Sequence, residues 1–99
     1  MLFRGSDDLP MTSGKISYSG CWQDFKTIVE HVNREYVRSN DQGVRVYAYG
    51  CSMGANILGL YMRKEGERAR QMLDGAIMYG TPWSTSKGSK FFYETANMY

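Results

Sequence analysis

Residues 44–62 read VRVYAYGCSMGANILGLYM, and this stretch decides the fold. Its first part, Val44–Tyr49, is β-branched and aromatic and has the length of a strand. Its second part, from Met53 to about Arg63, is apolar on nearly all sides, which predicts a helix buried over most of its surface. The sequence Gly-Cys-Ser-Met-Gly at 50–54 joins the two parts. A strand is therefore expected to turn into a helix at Ser52.

The joining turn matches the Gly-x-Ser-x-Gly pattern of a nucleophile elbow. In such a turn the serine backbone is strained, and small residues two before and two after it let strand and helix approach. Gly50 and Gly54 are predicted to give that clearance. Ser52 is then the candidate nucleophile at the carboxyl end of the sheet. The backbone N–H of Met53, at the helix N-terminus, is the candidate oxyanion-hole donor.

Two other interpretations of this turn stay open. One is an ordinary strand–helix turn in which the serine has no chemical role. The other is a glycine-rich nucleotide-binding turn, although the third glycine and the initial Gly-x-Gly of the dinucleotide fingerprint are missing here.

Helix and strand patterns alternate on both sides of the turn. Apolar residues at steps of three and four predict an amphipathic helix from Cys21 to about Val37, with Gly43 as the breaker after it. The apolar run Met72–Tyr79 predicts a second strand. The remaining segments are expected to be a strand end at 1–3, a loop at 5–20, and a polar loop running into an aromatic segment at 83–99.

This order predicts an α/β fold, with a mostly parallel sheet, helices on both of its faces, and right-handed crossovers. A length of 99 residues allows one domain at most. Two full strands and a strand end leave the sheet edges unpaired, so we expect an incomplete domain with exposed apolar surface. The candidates for that surface are Trp22, Trp83, Phe91 and Phe92.

Composition excludes several classes of function. A formal net charge of +2 is too small to indicate a nucleic-acid partner, and the basic residues of 63–71 alternate with glutamates as on a solvated helix face. Cys21 and Cys51 form no disulfide framework and lack metal-ligand spacing, so we expect reduced thiols in or near the core, no metal and no cofactor.

Nothing in the sequence has the pattern of a membrane or export segment. No apolar run approaches the roughly 20 residues that span a bilayer, and the N-terminus has no signal-peptide apolar region. We expect a cytoplasmic location by default, with membrane association possible only through flanking segments.

Four stretches together resemble α/β-hydrolases, closest to the YheT-like esterases and acylglycerol lipases related to plant embryogenesis-associated proteins. FRGSDDLPMTSGKISYSG resembles that group's Arg-Gly loop, and CWQDFKTIVEHVNREY resembles the helix after it. VYAYGCSMGANILGLYM resembles the elbow, and LDGAIMYGTPW resembles the next strand with its proline-containing exit. The resemblance covers nearly the whole chain.

The resemblance implies a sheet of about eight strands and hydrolysis of carboxylic esters by a Ser-Asp-His triad. It carries over only Ser52 and the Met53 N–H, because the family's acid and histidine follow later strands and its second oxyanion donor lies upstream. Residues 1–99 would then be the middle of such a domain, acting on a small-molecule or lipid ester and inactive as this piece alone. The alternative is a non-catalytic chain that completes a sheet with another polypeptide.

A base for Ser52 is not evident in the sequence. His31 is the single histidine, and it lies in the helix before the elbow strand, whereas the triad histidine on this fold follows the serine. We expect His31 at the edge of the buried face in a structural or solvated role. Asp24, Asp41 and Asp74 could each be proposed as the acid, but an acid without a histidine has no partner to orient.

Overall fold

A computed structural model of the chain describes residues 1, 10, 13–14, 20–38 and 43–96. Residues 2 and 3 of the predicted strand end, most of the loop predicted at 5–20, and Asp41 lie outside the described residues.

The described elements alternate between helix and strand, as the sequence predicts. In chain order they are α1 (Trp22–Val32), a π-helical segment (Asn33–Val37), β1 (Tyr47–Cys51), α2 (Met53–Glu65), α3 (Glu67–Met72), β2 (Gly75–Tyr79) and α4 (Thr85–Ala96).

β1 and β2 form a two-stranded parallel sheet, with Tyr47 opposite Gly75 and Cys51 opposite Tyr79. Asp74 holds the amino-terminal end of this pair with two hydrogen bonds to Val46. The Val46 N–H donates to the Asp74 carboxylate at 2.7 Å, and the Asp74 N–H donates to the Val46 carbonyl oxygen at 2.8 Å. The register of the sheet is thus set one residue before β1 begins.

Among the described residues, helices cover one face of this sheet, not both as predicted. Ala48, Gly50 and Met78 face α2, and α1 packs on α2 from the same side. The opposite face carries four large side chains that are 64–68% exposed, those of Tyr47, Tyr49, Ile77 and Tyr79. Side chains alternate between the two faces along a strand, so the apolar character of both strands fits a sheet meant for burial on both sides.

The core lies where α1, α2 and α3 meet. Its buried residues are Val29, Leu58, Tyr61 and Ala69. Tyr61 is only 1% exposed, and its ring meets that of Phe25 edge-on with centroids 5.1 Å apart. An edge-to-face pair of this kind stabilises a core by about 1 kcal/mol beyond its buried area.

Polar contacts fasten α3 to the end of α1. Asn33 is 6% exposed, and its amide nitrogen donates to the carbonyl oxygens of Val29 at 2.9 Å and Met72 at 3.0 Å. Nearby, Arg68 lies 3.0 Å from the Glu30 carboxylate, and Lys26 lies 3.1 Å from the half-buried Glu65 carboxylate. The more exposed Arg68–Glu30 pair contributes little to stability, whereas loss of a partner of the buried Asn33 amide would leave a donor unsatisfied.

The structure corrects several predicted boundaries. β1 begins at Tyr47, not Val44, since Val46 is bonded to Asp74 before the ladder starts. β2 begins at Gly75, not Met72, because Met72 ends a separate short helix, α3. Gly66 adopts a positive φ of 54° and divides α3 from α2, a division that the charged stretch 63–71 did not reveal.

The polar loop predicted after residue 83 is wrong for most of its length, because α4 occupies Thr85–Ala96. Ser84 precedes it, with its Oγ 3.5 Å from the Lys87 N–H and its carbonyl oxygen accepting from Gly88 at 3.0 Å. A serine before a helix is a common N-cap, so the start signal was present in the sequence.

Of the side chains expected to be exposed, Trp83 and Phe91 are 82% and 71% exposed. Trp22 is half-buried and packs against the core, contrary to the expectation, and the Phe92 side chain is outside the described part of the structure. Within the described residues, no helix is long and apolar enough to cross a membrane.

Candidate functional site

Ser52 has a backbone conformation that side-chain-bearing residues rarely adopt. Its φ is 52° and its ψ is −113°, and among the described non-glycine residues it alone has a positive φ. Such a position costs of order 1–3 kcal/mol and persists only where the surroundings hold it. The strain predicted from the sequence pattern is therefore present at the serine itself.

Two backbone hydrogen bonds hold the turn. The Ser52 N–H donates to the Tyr79 carbonyl oxygen of β2 at 2.9 Å, and the Asn56 N–H donates to the Ser52 carbonyl oxygen at 3.1 Å. The first bond fastens the serine to the neighbouring strand, and the second begins α2. The Ser52 side chain makes no capping hydrogen bond, so its hydroxyl is not committed to the helix.

The two glycines of the motif differ in how tightly they are packed. A Cβ on Gly50 would lie 2.6 Å from the Gly54 carbonyl oxygen and 2.8 Å from the Ala55 backbone. These distances are too short for any side chain, so β1 and α2 approach closely only because residue 50 is glycine. A Cβ on Gly54 would meet nothing within 4 Å, so the clearance predicted for Gly54 is not needed among the described residues.

Met53 is the first residue of the 13-residue helix α2. The first N–H groups of an α-helix have no partner within the helix, and that end carries a partial positive charge. The Ser52 N–H donates to Tyr79 and the Asn56 N–H donates to Ser52, so the N–H groups of the residues between them, beginning with Met53, are the backbone donors left beside the serine. An anion forming at Ser52 would meet these donors.

A cleft of about 390 Å³ opens beside the turn. Its lining is mostly apolar and comes from α1, β1, α2 and the turn between them, together with Met1. The lining residues are Met1, Phe25, Tyr49, Gly50, Cys51, Ser52, Met53, Gly54, Ile57 and Leu58. Ser52 supplies the aliphatic hydroxyl at this surface, and none of its described lining residues has a charged side chain.

His31 is not part of this cleft. It is exposed rather than at the edge of the buried face, and its Nδ1 lies 3.3 Å from an Arg34 guanidinium nitrogen, from which it can only accept. Phe25 is the α1 residue that reaches the cleft, and His31 follows it by six residues, roughly 9 Å further along the helix. The structure therefore does not bring His31 to Ser52.

The candidate acids are also in other places. Asp74 lies at the amino-terminal end of β2, whereas Ser52 follows the carboxyl end of β1, so the length of a five-residue strand, roughly 16 Å, separates them. Asp24 lies in the first turn of α1 and accepts from the Cys21 thiol at 3.4 Å. The described residues thus hold Ser52 and Met53 together but add neither a base nor an acid.

Neither cysteine forms a disulfide, and the two differ in burial. Cys21 is buried, as expected, whereas Cys51 is exposed. Among the described residues there is no group of three histidine, cysteine or acidic side chains that could hold a metal ion.

Tyr79 and Asp74 contribute to the site in ways that sequence reasoning missed. Tyr79 acts through its carbonyl oxygen and Asp74 through the register that places Tyr79 beside Ser52. A backbone carbonyl leaves no signal in residue type. The acidic residue just before β2 is visible in the sequence, but its type and position alone suggest only a candidate catalytic acid.

Fold and turn together define an α/β arrangement with a strained serine between a strand and a helix. Abhydrolase domain-containing protein 2 of Drosophila melanogaster is similar, at 28% identity over 87 residues, which cover 88% of this chain and 21% of that protein. The chain thus spans about a fifth of the length of this curated relative. No protein-family profile and no solved structure matches. The similarity supports an α/β-hydrolase family at this broad level, not the narrower YheT-like group.

Proposed function

We propose that this chain is part of a carboxylic ester hydrolase in which Ser52 is the nucleophile. The positive φ of Ser52, at a strand–helix turn, is the observation that carries the proposal. Serine in an ordinary turn has no reason to accept such strain, whereas a nucleophile elbow needs it to lift the hydroxyl clear of the sheet.

The reaction follows acyl-transfer chemistry. Ser52 Oγ attacks the ester carbonyl carbon, and its proton passes to a general base. The negative charge on the carbonyl oxygen is stabilised by the Met53 N–H at the positive end of α2. The C–O bond then breaks, the base returns the proton to the leaving alcohol, and water cleaves the acyl-enzyme in the same way.

The general base has to come from outside the described residues, since His31 points to Arg34 and not to Ser52. The resemblance to ester hydrolases indicates a histidine and an acid in strands and loops that follow β2. It also indicates acylglycerols or short- to medium-chain esters as the substrate class. The apolar lining of the cleft beside Ser52 is compatible with an ester that has a hydrocarbon part.

A serine-directed fluorophosphonate tests the nucleophile. The complete protein that contains these residues should be labelled at Ser52 and should hydrolyse p-nitrophenyl butyrate. Ser52→Ala should abolish the labelling and lower kcat by about 10⁴-fold or more. Ser89→Ala, an exposed serine of α4, is the matched control and should keep both. Labelling that survives in Ser52→Ala, or that never occurs in the unaltered protein, would refute the assignment.

A further inference from the structure

Tyr47 and Gly75 form the first residue pair of the β1–β2 ladder. Tyr47 is 66% exposed on the uncovered face of the sheet, and its ring lies against the backbone of Gly75. A Cβ on Gly75 would lie 3.0 Å from Cδ1 and 3.2 Å from Cε1 of that ring. Within the described residues the Tyr47 hydroxyl has no hydrogen-bond partner, so the contact is made by the ring. An aromatic ring packed across a glycine of the neighbouring strand stabilises a sheet where glycine would otherwise weaken it.

This pair restricts the register in which the two strands can join. A slip by one residue would turn Met78 away from α2, and the core opposes that change. A slip by two residues keeps every side chain on its own face. It would, however, put Leu73 or Ile77 opposite Tyr47, and a side chain there would displace the ring from the place that Gly75 leaves open. The contact between ring and glycine therefore exists only in the observed register.

The register set at Tyr47 also decides what lies beside Ser52 at the other end of the ladder. All five residue pairs shift together when a strand slips. In the observed register the Ser52 N–H donates to the Tyr79 carbonyl oxygen at 2.9 Å. Gly80, with a positive φ of 61°, follows directly and ends the strand. The hydrogen bond that holds the strained serine thus forms in the register in which Tyr47 meets Gly75.

We propose that Tyr47 is a positioning residue for Ser52, acting through its ring contact with Gly75 and the strand register that this contact holds. Tyr47 does not line the cleft beside Ser52, and the five-residue strand β1, roughly 16 Å long, separates the two. Its contribution is distinct from that of Asp74, whose two hydrogen bonds to Val46 fix the backbone one residue earlier. The effect on the Ser52 backbone needs no assumption about chemistry, whereas the effect on catalysis rests on the proposed function.

Amide hydrogen exchange on the 99-residue chain tests the effect on the backbone. Tyr47→Thr removes the ring but keeps a β-branched residue that suits a strand, and Tyr47→Phe keeps the ring. We expect exchange at the Ser52 amide to be about tenfold faster in Tyr47→Thr and unchanged in Tyr47→Phe, because local opening of the ladder exposes that amide. The Tyr61 amide, within α2, is the internal reference and should keep its rate. Unchanged exchange at Ser52 in Tyr47→Thr, equal acceleration at both amides, or acceleration in both variants would overturn the proposal.

A second substitution tests the contact itself. Gly75→Ala puts a methyl group where the ring lies, so in the unaltered chain it should accelerate exchange at the Ser52 amide by about threefold or more. Combined with Tyr47→Thr the methyl group meets no ring, and alanine loses less conformational freedom in a strand than glycine does. The same substitution should then slow the exchange. An effect of the same sign and size in both backgrounds would show that the two residues are not coupled, which contradicts the proposal.

The activity of the complete protein that contains these residues tests the effect on catalysis. Counting active sites with the fluorophosphonate separates a slower site from a smaller folded fraction. Per labelled site, Tyr47→Thr should lower kcat for p-nitrophenyl butyrate by about fivefold or more with KM unchanged, and Tyr47→Phe should keep the unaltered value. An unchanged kcat together with faster exchange at Ser52 would refute the catalytic part of the proposal. Absence of labelling in the unaltered protein would instead refute Ser52 as the nucleophile, and the exchange results alone would then decide the role of Tyr47.

Discussion

Ser52 combines a strained backbone with a side chain that makes no capping hydrogen bond to α2. The φ of 52° is held by the bond to Tyr79 and by the start of α2, and the hydroxyl makes no capping bond. Strain at a residue whose side chain makes no capping bond is what the proposed nucleophile role of Ser52 requires.

Replacing Ser52 by glycine should therefore stabilise the chain. Glycine adopts a positive φ without strain, and no capping bond is lost, so we expect Ser52→Gly to raise the free energy of unfolding by about 1 kcal/mol. Ser52→Ala keeps the strained φ and is the control. Urea denaturation of both variants measures the difference, and an alanine variant as stable as the glycine variant would contradict the role of strain.

The two motif glycines should respond in opposite ways to alanine. Gly50→Ala forces a methyl group against the Gly54 and Ala55 backbone, and we expect it to lower the free energy of unfolding by about 3 kcal/mol or more. Gly54→Ala puts a methyl group in open space within a helix, and should be neutral or stabilising by up to about 1 kcal/mol. Equal losses in the two variants would show that the close approach at Gly50 is not what limits the turn.

At the scale of elements, a buried tyrosine at the junction of α1, α2 and α3 should make the free energy of unfolding change with pH in the alkaline range. Burial first, and then the carboxylates of Glu65 and Glu30, raise the pKa of Tyr61 above its ordinary value of 10.0. The unfolded chain loses the phenolic proton near the ordinary value, before the folded chain does. The contribution of Tyr61 is thus complete below about pH 10 and is lost as pH rises through the raised pKa.

Tyr61→Phe should weaken that dependence. We expect the urea midpoint of the unaltered chain to fall more steeply than that of Tyr61→Phe between about pH 9 and pH 11, because phenylalanine has no proton to lose. The two proteins are compared first near pH 7, which separates the loss of the hydroxyl from the titration. Parallel pH profiles would mean that Tyr61 does not titrate differently in the folded and unfolded states.

Helix α2 was predicted from sequence to within two residues at its end, because its apolar pattern and the glycine turn before it are both local signals. The first residues of β1 and β2 could not be predicted in this way. They depend on where Asp74 meets Val46 across the sheet, and these two residues are far apart in sequence. The motif alone also singles out Ser52 and Met53 as the candidate nucleophile and oxyanion donor, and those roles stay predictions. The role of the Tyr79 carbonyl oxygen could not be predicted from the sequence, because every residue type has a backbone carbonyl.

At the scale of the whole molecule, the uncovered sheet face should govern behaviour in solution. Tyr49 and Ile77 lie opposite each other in the register and are both exposed, so replacing them by lysine and glutamate puts a cross-strand ion pair on that face. We expect the Tyr49→Lys, Ile77→Glu variant to scatter less light and bind less of an apolar dye than the unaltered chain.

The matched control is Ile28→Lys, which changes a single exposed apolar residue on α1 and leaves the sheet face intact. It should behave like the unaltered chain in both measurements. A control variant that improves solubility as much as the double variant would mean that any added charged side chain, and not the loss of the apolar sheet face, decides association.

The hydrogen bond from the Ser52 N–H to the Tyr79 carbonyl oxygen limits how short a segment can keep the geometry of this turn. The five letters of the motif lie within 50–54, but the carbonyl that holds the serine comes 27 positions later in the chain. A peptide or graft that carries only β1 and α2 would contain the whole motif sequence, but its serine would relax to an ordinary φ. The smallest transplantable unit therefore runs from Val46 to Tyr79, and a protein engineer who moves this turn into a new scaffold has to bring the second strand with it.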